Sequence, residues 1–139
     1  MTVRTPRGTG SAFFISDRLL LTTEHVISGF KDVRLRFLGG RQIPAEVVPA
    51  DARRDVALLE TEGAGVTGLA LRPDNPELTA PVFVIGSPLG EKQECSISAG
   101  IVSGFRDHEF GPMIQSDVSV TRGNSGGPMF DDKGNVIGG

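Results

Sequence analysis

Apolar residues in this chain fall in short runs divided by turn formers, and no long segment repeats them at helical spacing. The runs occupy residues 11–16, 19–22, 33–37, 43–48, 56–60, 82–85, 96–103, 113–115 and 136–137. They are strand-length and rich in Val, Ile and Phe, which predicts a succession of antiparallel hairpins. Asp17-Arg18, Gly39-Gly40 and Lys133-Gly134-Asn135 fall between runs and read as hairpin turns. One helical turn is expected around residues 24–28. The stretch Arg72-Pro73-Asp74-Asn75-Pro76-Glu77-Leu78-Thr79-Ala80-Pro81 holds three prolines and few strand formers. It divides the chain into an all-β half at 1–72 and another at 82–139, with 73–81 as linker. Two small antiparallel β-barrels joined by that linker are the economical architecture. No internal repeat, coiled coil or low-complexity segment interrupts this pattern.

Composition narrows the function. The chain has 139 residues, of which 38% are hydrophobic, enough to bury a core. Fourteen basic against seventeen acidic side chains give a net charge of −3. No block of like charge offers a nucleic-acid or membrane patch, so no nucleic-acid partner is expected. The lone cysteine, Cys95, excludes an intrachain disulfide and a thiolate zinc site. A single cysteine fits the cytosol and oxidising compartments alike. No window is apolar enough for a membrane span. Met1-Thr2-Val3-Arg4-Thr5-Pro6 has no apolar core of a signal peptide. The compartment therefore stays open: the cytoplasm or, after loss of an upstream segment, the periplasm or exterior.

The chemistry-bearing residues are few. There are two histidines. His25 follows the run Leu19-Leu20-Leu21-Thr22-Thr23-Glu24, where a buried strand gives way to a turn. His108 lies in Arg106-Asp107-His108-Glu109, the context of a charged surface loop. Their separation gives no H-x-x-x-H pair, and neither metal nor cofactor is expected. Asp55 stands between Arg53-Arg54 and Val56-Ala57-Leu58-Leu59. It reads either as a turn residue pairing locally with arginine or as a carboxylate at a strand mouth that orients an imidazole. Ser125 lies in Arg122-Gly123-Asn124-Ser125-Gly126-Gly127-Pro128. A hydroxyl needs a base to become a nucleophile, and it needs backbone N–H groups converging on the oxyanion it creates. Glycines on both sides permit the dihedrals and the close substrate approach that this demands. The bland reading is a Gly- and Ser-rich turn.

Gly123-Asn124-Ser125-Gly126-Gly127-Pro128 resembles the nucleophile loop of trypsin-like serine proteases, above all the HtrA/Deg branch. Gly8-Thr9-Gly10-Ser11-Ala12-Phe13-Phe14-Ile15-Ser16 resembles that family's G-[ST]-G-S-G-F opening hairpin. Leu19 to Ile27 resembles its LT-x-x-HVV histidine segment, and Arg54-Asp55-Val56-Ala57-Leu58-Leu59 its aspartate segment. Val84-Ile85-Gly86-Ser87-Pro88-Leu89-Gly90, Ser98-Ala99-Gly100-Ile101-Val102-Ser103 and Ile114-Gln115-Ser116-Asp117 resemble G-[NS]-P-[FL]-G, T-x-G-I-V-S and I-Q-T-D. The likeness runs in constant order through nearly the whole chain.

That resemblance implies a double β-barrel with its active site in the cleft between barrels. It implies His25 as general base, Asp55 as its orienting carboxylate and Ser125 as nucleophile. Backbone N–H groups of Gly123 and Ser125 would form the oxyanion hole, with Asn124 shaping the turn between them. Asp117 reads as structural, closing hydrogen bonds near the loop. Six residues before the nucleophile, Ser119 would lie at the base of the side-chain pocket. A neutral residue there implies small or medium apolar preference rather than Lys or Arg. The implied function is a serine endopeptidase acting on polypeptides, in protein quality control or limited proteolysis, and the implied assembly is a homotrimer. Glu24 departs from a commonly small residue. A carboxylate there either faces solvent or, folded inward, favours imidazolium and weakens the base. Residues 134–139 resemble the family's turn and the start of its next strand, so an incomplete second barrel and a piece of a longer protein are expected. The competing reading is a non-catalytic, protease-like module that binds peptides, or a fragment inactive until its second barrel is completed.

Overall fold

Strand alternation shows which side of each run is buried. Across residues 32–35, Val33 and Leu35 are buried while Asp32 and Arg34 are exposed; in the run 19–22, Leu20 and Thr22 point inward. A computed structural model of the chain describes residues 2–6, 8–37, 41–48, 55–63, 65–86, 96–108, 111–118 and 126–138. The first half contains β1 (Thr2–Thr5), β2 (Gly8–Ser11), β3 (Phe13–Phe14), β4 (Leu19–Thr22), the helical turn α1 (Glu24–Ile27), β5 (Asp32–Arg36), β6 (Gln42–Val48) and β7 (Ala57–Glu60). The second contains β8 (Pro81–Gly86), β9 (Ser96–His108), β10 (Gly111–Ser116), β11 (Met129–Phe130) and β12 (Val136–Gly138). No helix among the described residues is long and apolar enough to cross a membrane.

One chain segment closes the first sheet. β2 and β3 are parted only by Ala12; β2 pairs with β1 and β3 with β4. The seven-stranded order β2-β1-β5-β6-β7-β4-β3 therefore begins and ends on the same segment, and the sheet curls into a nearly closed barrel. Val3, Leu20, Leu35 and Leu59 fill it at 0% exposure, with Phe14 and Ile27 beside them. Phe14 stacks on Phe37 with ring centroids 6.0 Å apart, and the Arg41 guanidinium covers the Phe37 ring.

The second sheet is a five-stranded half-barrel in the order β10-β9-β8-β11-β12. Its long strand β9 pairs with β8 through residues 96–101 and with β10 through residues 102–108. Among the described residues, Val82, Val84, Val102 and Val136 are its buried apolar side chains, a smaller set than the first barrel's. The expected all-β pair of barrels is thus present, one nearly closed and one half-formed.

Local propensity misplaced several elements. β1 has one strong apolar residue and β2 has none, yet both are strands because tertiary pairing on the barrel overrides composition. β11 is two residues long, too short for a pattern, and is held by β8 on one side and β12 on the other. His108 ends β9 opposite Gly111, not in a charged loop: the β9–β10 ribbon runs on past the sheet, and its polar residues Arg106 and Asp107 are exposed. The expected Gly39-Gly40 turn lies outside the described residues.

Between β7 and β8 the chain crosses from one sheet to the other. Leu71 forms a parallel bridge with Val136, flanked by Arg72 N–H to Val136 O and Val136 N–H to Ala70 O, both 2.8 Å. The Arg72 guanidinium donates to Asp131 Oδ2 at 3.3 Å and to Asp74 Oδ2 at 3.1 Å. Asp131 is buried, and its other oxygen, Oδ1, accepts the amides of Lys133 and Asn135, each at 2.9 Å. The Asn135 amide, with the Lys133 amide and Arg72 adding to it, holds the Asp131 carboxyl below the usual carboxylate range against the opposing pull of burial.

That shift fixes a sign. A native pKa below the ordinary aspartate value of about 3.9 contributes stability above that value and loses it as pH falls through the native one. The melting-temperature advantage of wild type over Asp131→Asn should be constant from neutral pH down to about pH 5 and shrink below about pH 4. Thermal denaturation followed by circular dichroism across that range tests it; an advantage that grows on acidification would contradict it.

Candidate active site

Register places the first two candidate residues together. In the β4–β7 pair Thr22 faces Ala57, so the residues just beyond β4 meet those just ahead of β7. Thr23 occupies the N-cap of α1 with extended dihedrals but makes no side-chain capping bond. Asp55 satisfies the first helical donors instead: its carbonyl accepts the Glu24 amide at 3.2 Å, and its Oδ1 accepts the His25 amide at 2.8 Å. Its second oxygen, Oδ2, lies 2.6 Å from His25 Nδ1. One carboxylate therefore grips both the backbone and the ring of His25. Asp55 does so from a left-handed backbone, φ 56°, which aspartate tolerates better than most residues.

This geometry sets the imidazole's chemistry. An ionised carboxylate only accepts hydrogen bonds, so the ring proton belongs on Nδ1 and the neutral ring keeps its lone pair on Nε2. The His25 side chain is 58% exposed and so open to a reacting partner. Glu24, at the start of α1, is half-buried and favourably placed for a carboxylate in a first helical turn. His108 is carried on the far β9–β10 ribbon and is not part of this pair. No three His, Cys, Asp or Glu side chains among the described residues converge as a metal site requires.

Ser125, Gly123, Asn124 and Ser119 lie outside the described residues. The residue after Ser125 does not. Gly126 is buried with φ 87°, and a Cβ built on it would overlap the Ser11 carbonyl oxygen and approach Thr22 Oγ1 to 2.5 Å. Thr22 Oγ1 itself donates to Ser11 O at 2.8 Å. Gly126 is thus pressed against the first barrel beside β4, whose last residue stands three positions before His25. Asp117 closes backbone bonds in the other sheet: its Oδ1 accepts the Ile101 amide at 2.7 Å, next to a bulge in β10.

A cleft of about 420 Å³ separates the two sheets at this point. Thr22, Thr23, Asp55 and Val56 line one side; Leu71, Arg72, Met113, Val136 and Ile137 line the other, and Gly126 joins them. Sequence reasoning missed the Thr22–Ser11 bond and the Arg72–Asp131 pair. Neither has a spacing signal, because each joins residues that only the folded sheets bring together.

A nearly closed β-barrel facing a half-barrel, with an imidazole–carboxylate pair at their cleft, defines the class of chymotrypsin-like β-barrel proteins. The chain belongs to the trypsin-like peptidase domain family, whose sequence pattern matches residues 10–138. It is 38% identical over 141 residues to a protein of Ectopseudomonas mendocina named "Probable periplasmic serine endoprotease DegP-like", covering 97% of this chain and 29% of that one. Among solved structures it resembles a serine endoprotease from Yersinia pestis, with TM-score 0.84 and 26% identity over 99% of this chain and 51% of the other. It also resembles the HtrA-type protease AlgW, solved with a tripeptide, with TM-score 0.85 and 28% identity over 99% of this chain and 48% of the other. The proteins it resembles are thus named as DegP-like or HtrA-type proteases. The chain spans less than a third of the length of that curated relative and about half of those solved chains.

Gly126 and Gly134 separate sterics from backbone strain. Both have positive φ, but a Cβ on Gly134 meets nothing within 4 Å. Gly134→Ala should cost about 1 kcal/mol, the backbone effect alone. Gly126→Ala, which also drives a methyl into Ser11 and Thr22, should cost about 3 kcal/mol or more. Urea denaturation measures both; equal costs would show that the contact at Gly126 is soft.

Proposed function

We propose that this chain carries the catalytic part of a serine endopeptidase, with His25 as general base, Asp55 as its orienting carboxylate and Ser125 as nucleophile. The observation that carries the reading is the 2.6 Å approach of Asp55 Oδ2 to His25 Nδ1, made by a carboxylate that also holds the His25 amide. The seating of Gly126 against β4 supports the placing of Ser125 near that imidazole. On this reading residues 1–72 supply base and carboxylate, 82–139 supply the nucleophile, and 73–81 join them.

In the proposed reaction His25 Nε2 takes the Ser125 Oγ proton as Oγ attacks the carbonyl carbon of the scissile peptide bond. Asp55 stays ionised and stabilises the imidazolium. Backbone N–H groups of Gly123 and Ser125, shaped by Asn124, bind the oxyanion. The imidazolium protonates the departing amine; water, deprotonated by the same ring, then hydrolyses the acyl-enzyme and frees Ser125. With neutral Ser119 at the pocket base, the substrates are polypeptides cleaved after small or medium apolar residues, in protein quality control or limited proteolysis. Assembly as a homotrimer rests on family likeness alone.

Labelling by a fluorophosphonate probe tests the chemistry. Wild type should react, Ser125→Ala and His25→Ala should each lose roughly 10⁴-fold or more in rate, and His108→Ala should keep the wild-type rate. A folded wild type that does not react would put the non-catalytic peptide-binding reading in place of the enzyme.

A further inference from the structure

Asp131 is a buried carboxylate that the proposed chemistry does not use. It lies six residues beyond Ser125, and the chain between them has little slack where it is described. Gly126, Gly127 and Pro128 are buried, and β11 is paired on both sides, Met129 to Val84 and Gly138, Phe130 to Phe83 and Val136. The two oxygens of Asp131 have separate tasks. Oδ1 accepts the Lys133 and Asn135 amides and so closes its own turn. Oδ2 accepts from Arg72, whose backbone is paired with β12 where the chain crosses between sheets. Arg72 lines the same cleft as Asp55 and Gly126.

We propose that the Arg72–Asp131 ion pair is a positioning latch, which clamps the turn after β11 to the crossing strand and thereby fixes the segment Gly126–Phe130 that follows Ser125. Both are proposed as positioning residues, which act through the chain they tie. The turn is closed without Arg72, through Oδ1 and through the backbone bonds Asp131 N–H to Asn135 O and Gly134 N–H to Asp131 O, so the bond through Oδ2 adds a tie between the crossing strand and the segment that follows Ser125. Loss of the tie leaves β11 paired but loosens Gly126–Pro128, the described segment from which the proposed nucleophile is held. Misplacement by about 1 Å is enough to slow a reaction roughly a hundredfold. The proposal rests on the reading of Ser125 as nucleophile.

Asp131→Asn tests it cleanly, since the amide oxygen still accepts the two turn amides while its NH₂ opposes the guanidinium. Arg72→Met cuts the tie from the other side. Asp17→Ala is the stability control: its carboxylate accepts the Gly65 and Val66 amides, and neither partner lines the cleft. For the folded proteins, fluorophosphonate labelling should slow about tenfold in Asp131→Asn and in Arg72→Met, with little further loss in the double variant, because the Arg72–Asp131 contact is already gone in each and the Asp74 bond that Arg72→Met also removes is an exposed pair. Arg72→Lys should recover part of the rate. Asp17→Ala should melt earlier yet label within about twofold of wild type. Labelling of Asp131→Asn at the wild-type rate overturns the latch. If wild type itself fails to label, the reading of Ser125 falls, and amide exchange at Gly126 and Gly127 judges the latch instead. Faster exchange in Asp131→Asn but not in Asp17→Ala upholds the tie, and equal exchange in both rejects it.

Discussion

The pairing of β4 with β7 is the constraint on which the candidate site depends. With Thr22 opposite Ala57, the chain leaving β4 must pass the chain approaching β7, and His25 meets Asp55. A slip of one residue would turn every side chain of β7 to the other face of the sheet. Leu59, at 0% exposure, and Ala57, at 1%, would leave the core, so packing of the barrel enforces the register. The place of Asp55, and through it the imidazole's geometry, is thus set by aliphatic burial two and four residues further along the chain.

Asp55 shows how one side chain serves fold and chemistry together. Its Oδ1 satisfies an amide at the start of α1 that Thr23 leaves uncapped, and its Oδ2 meets the ring. Asparagine there would still accept the amide, but its NH₂ would compete for the ring nitrogen and select the other tautomer. The capping role and the orienting role are therefore separable by chemistry though not by position. The left-handed backbone of Asp55 is the local strain this dual contact requires, offset by the pairing of β4 with β7 on which it rests.

Much of this was legible in the sequence because it is short-range. Runs such as Val33–Leu35 alternate visibly, and the fold class follows from their number and spacing. His25 and Asp55 could be proposed from their places at the ends of apolar runs. Their contact came only from the family resemblance, since thirty residues separate them and only the barrel brings them together. β2, with no apolar residue, and β11, with two residues, were invisible because pairing makes them strands, with β1 for β2 and with β8 and β12 for β11. Arg72 read as the border of a linker, and nothing in the sequence singled out Asp131. Their pairing spans fifty-nine residues and depends on β12 lying beside the crossing strand. Ser125 was legible only through its neighbours, and the structure bears on it in the same indirect way, through Gly126.

The two sheets contribute unequally, and that shapes how the site is held. Leucines, phenylalanines and an isoleucine fill the first barrel, whereas the half-barrel buries chiefly valines and leaves Ile97, Phe105 and Met113 exposed. The imidazole–carboxylate pair therefore stands on the better-packed element, and the segment leading away from Ser125 stands on the weaker one. A loop on a weakly packed sheet samples more arrangements than one on a closed barrel. Specific ties must then do what bulk packing does elsewhere. Gly126 meets the first barrel through a contact that admits no side chain, and Asp131 meets the crossing strand through an ion pair. Both lie within six residues of Ser125 on its C-terminal side, next to the two-residue strand β11.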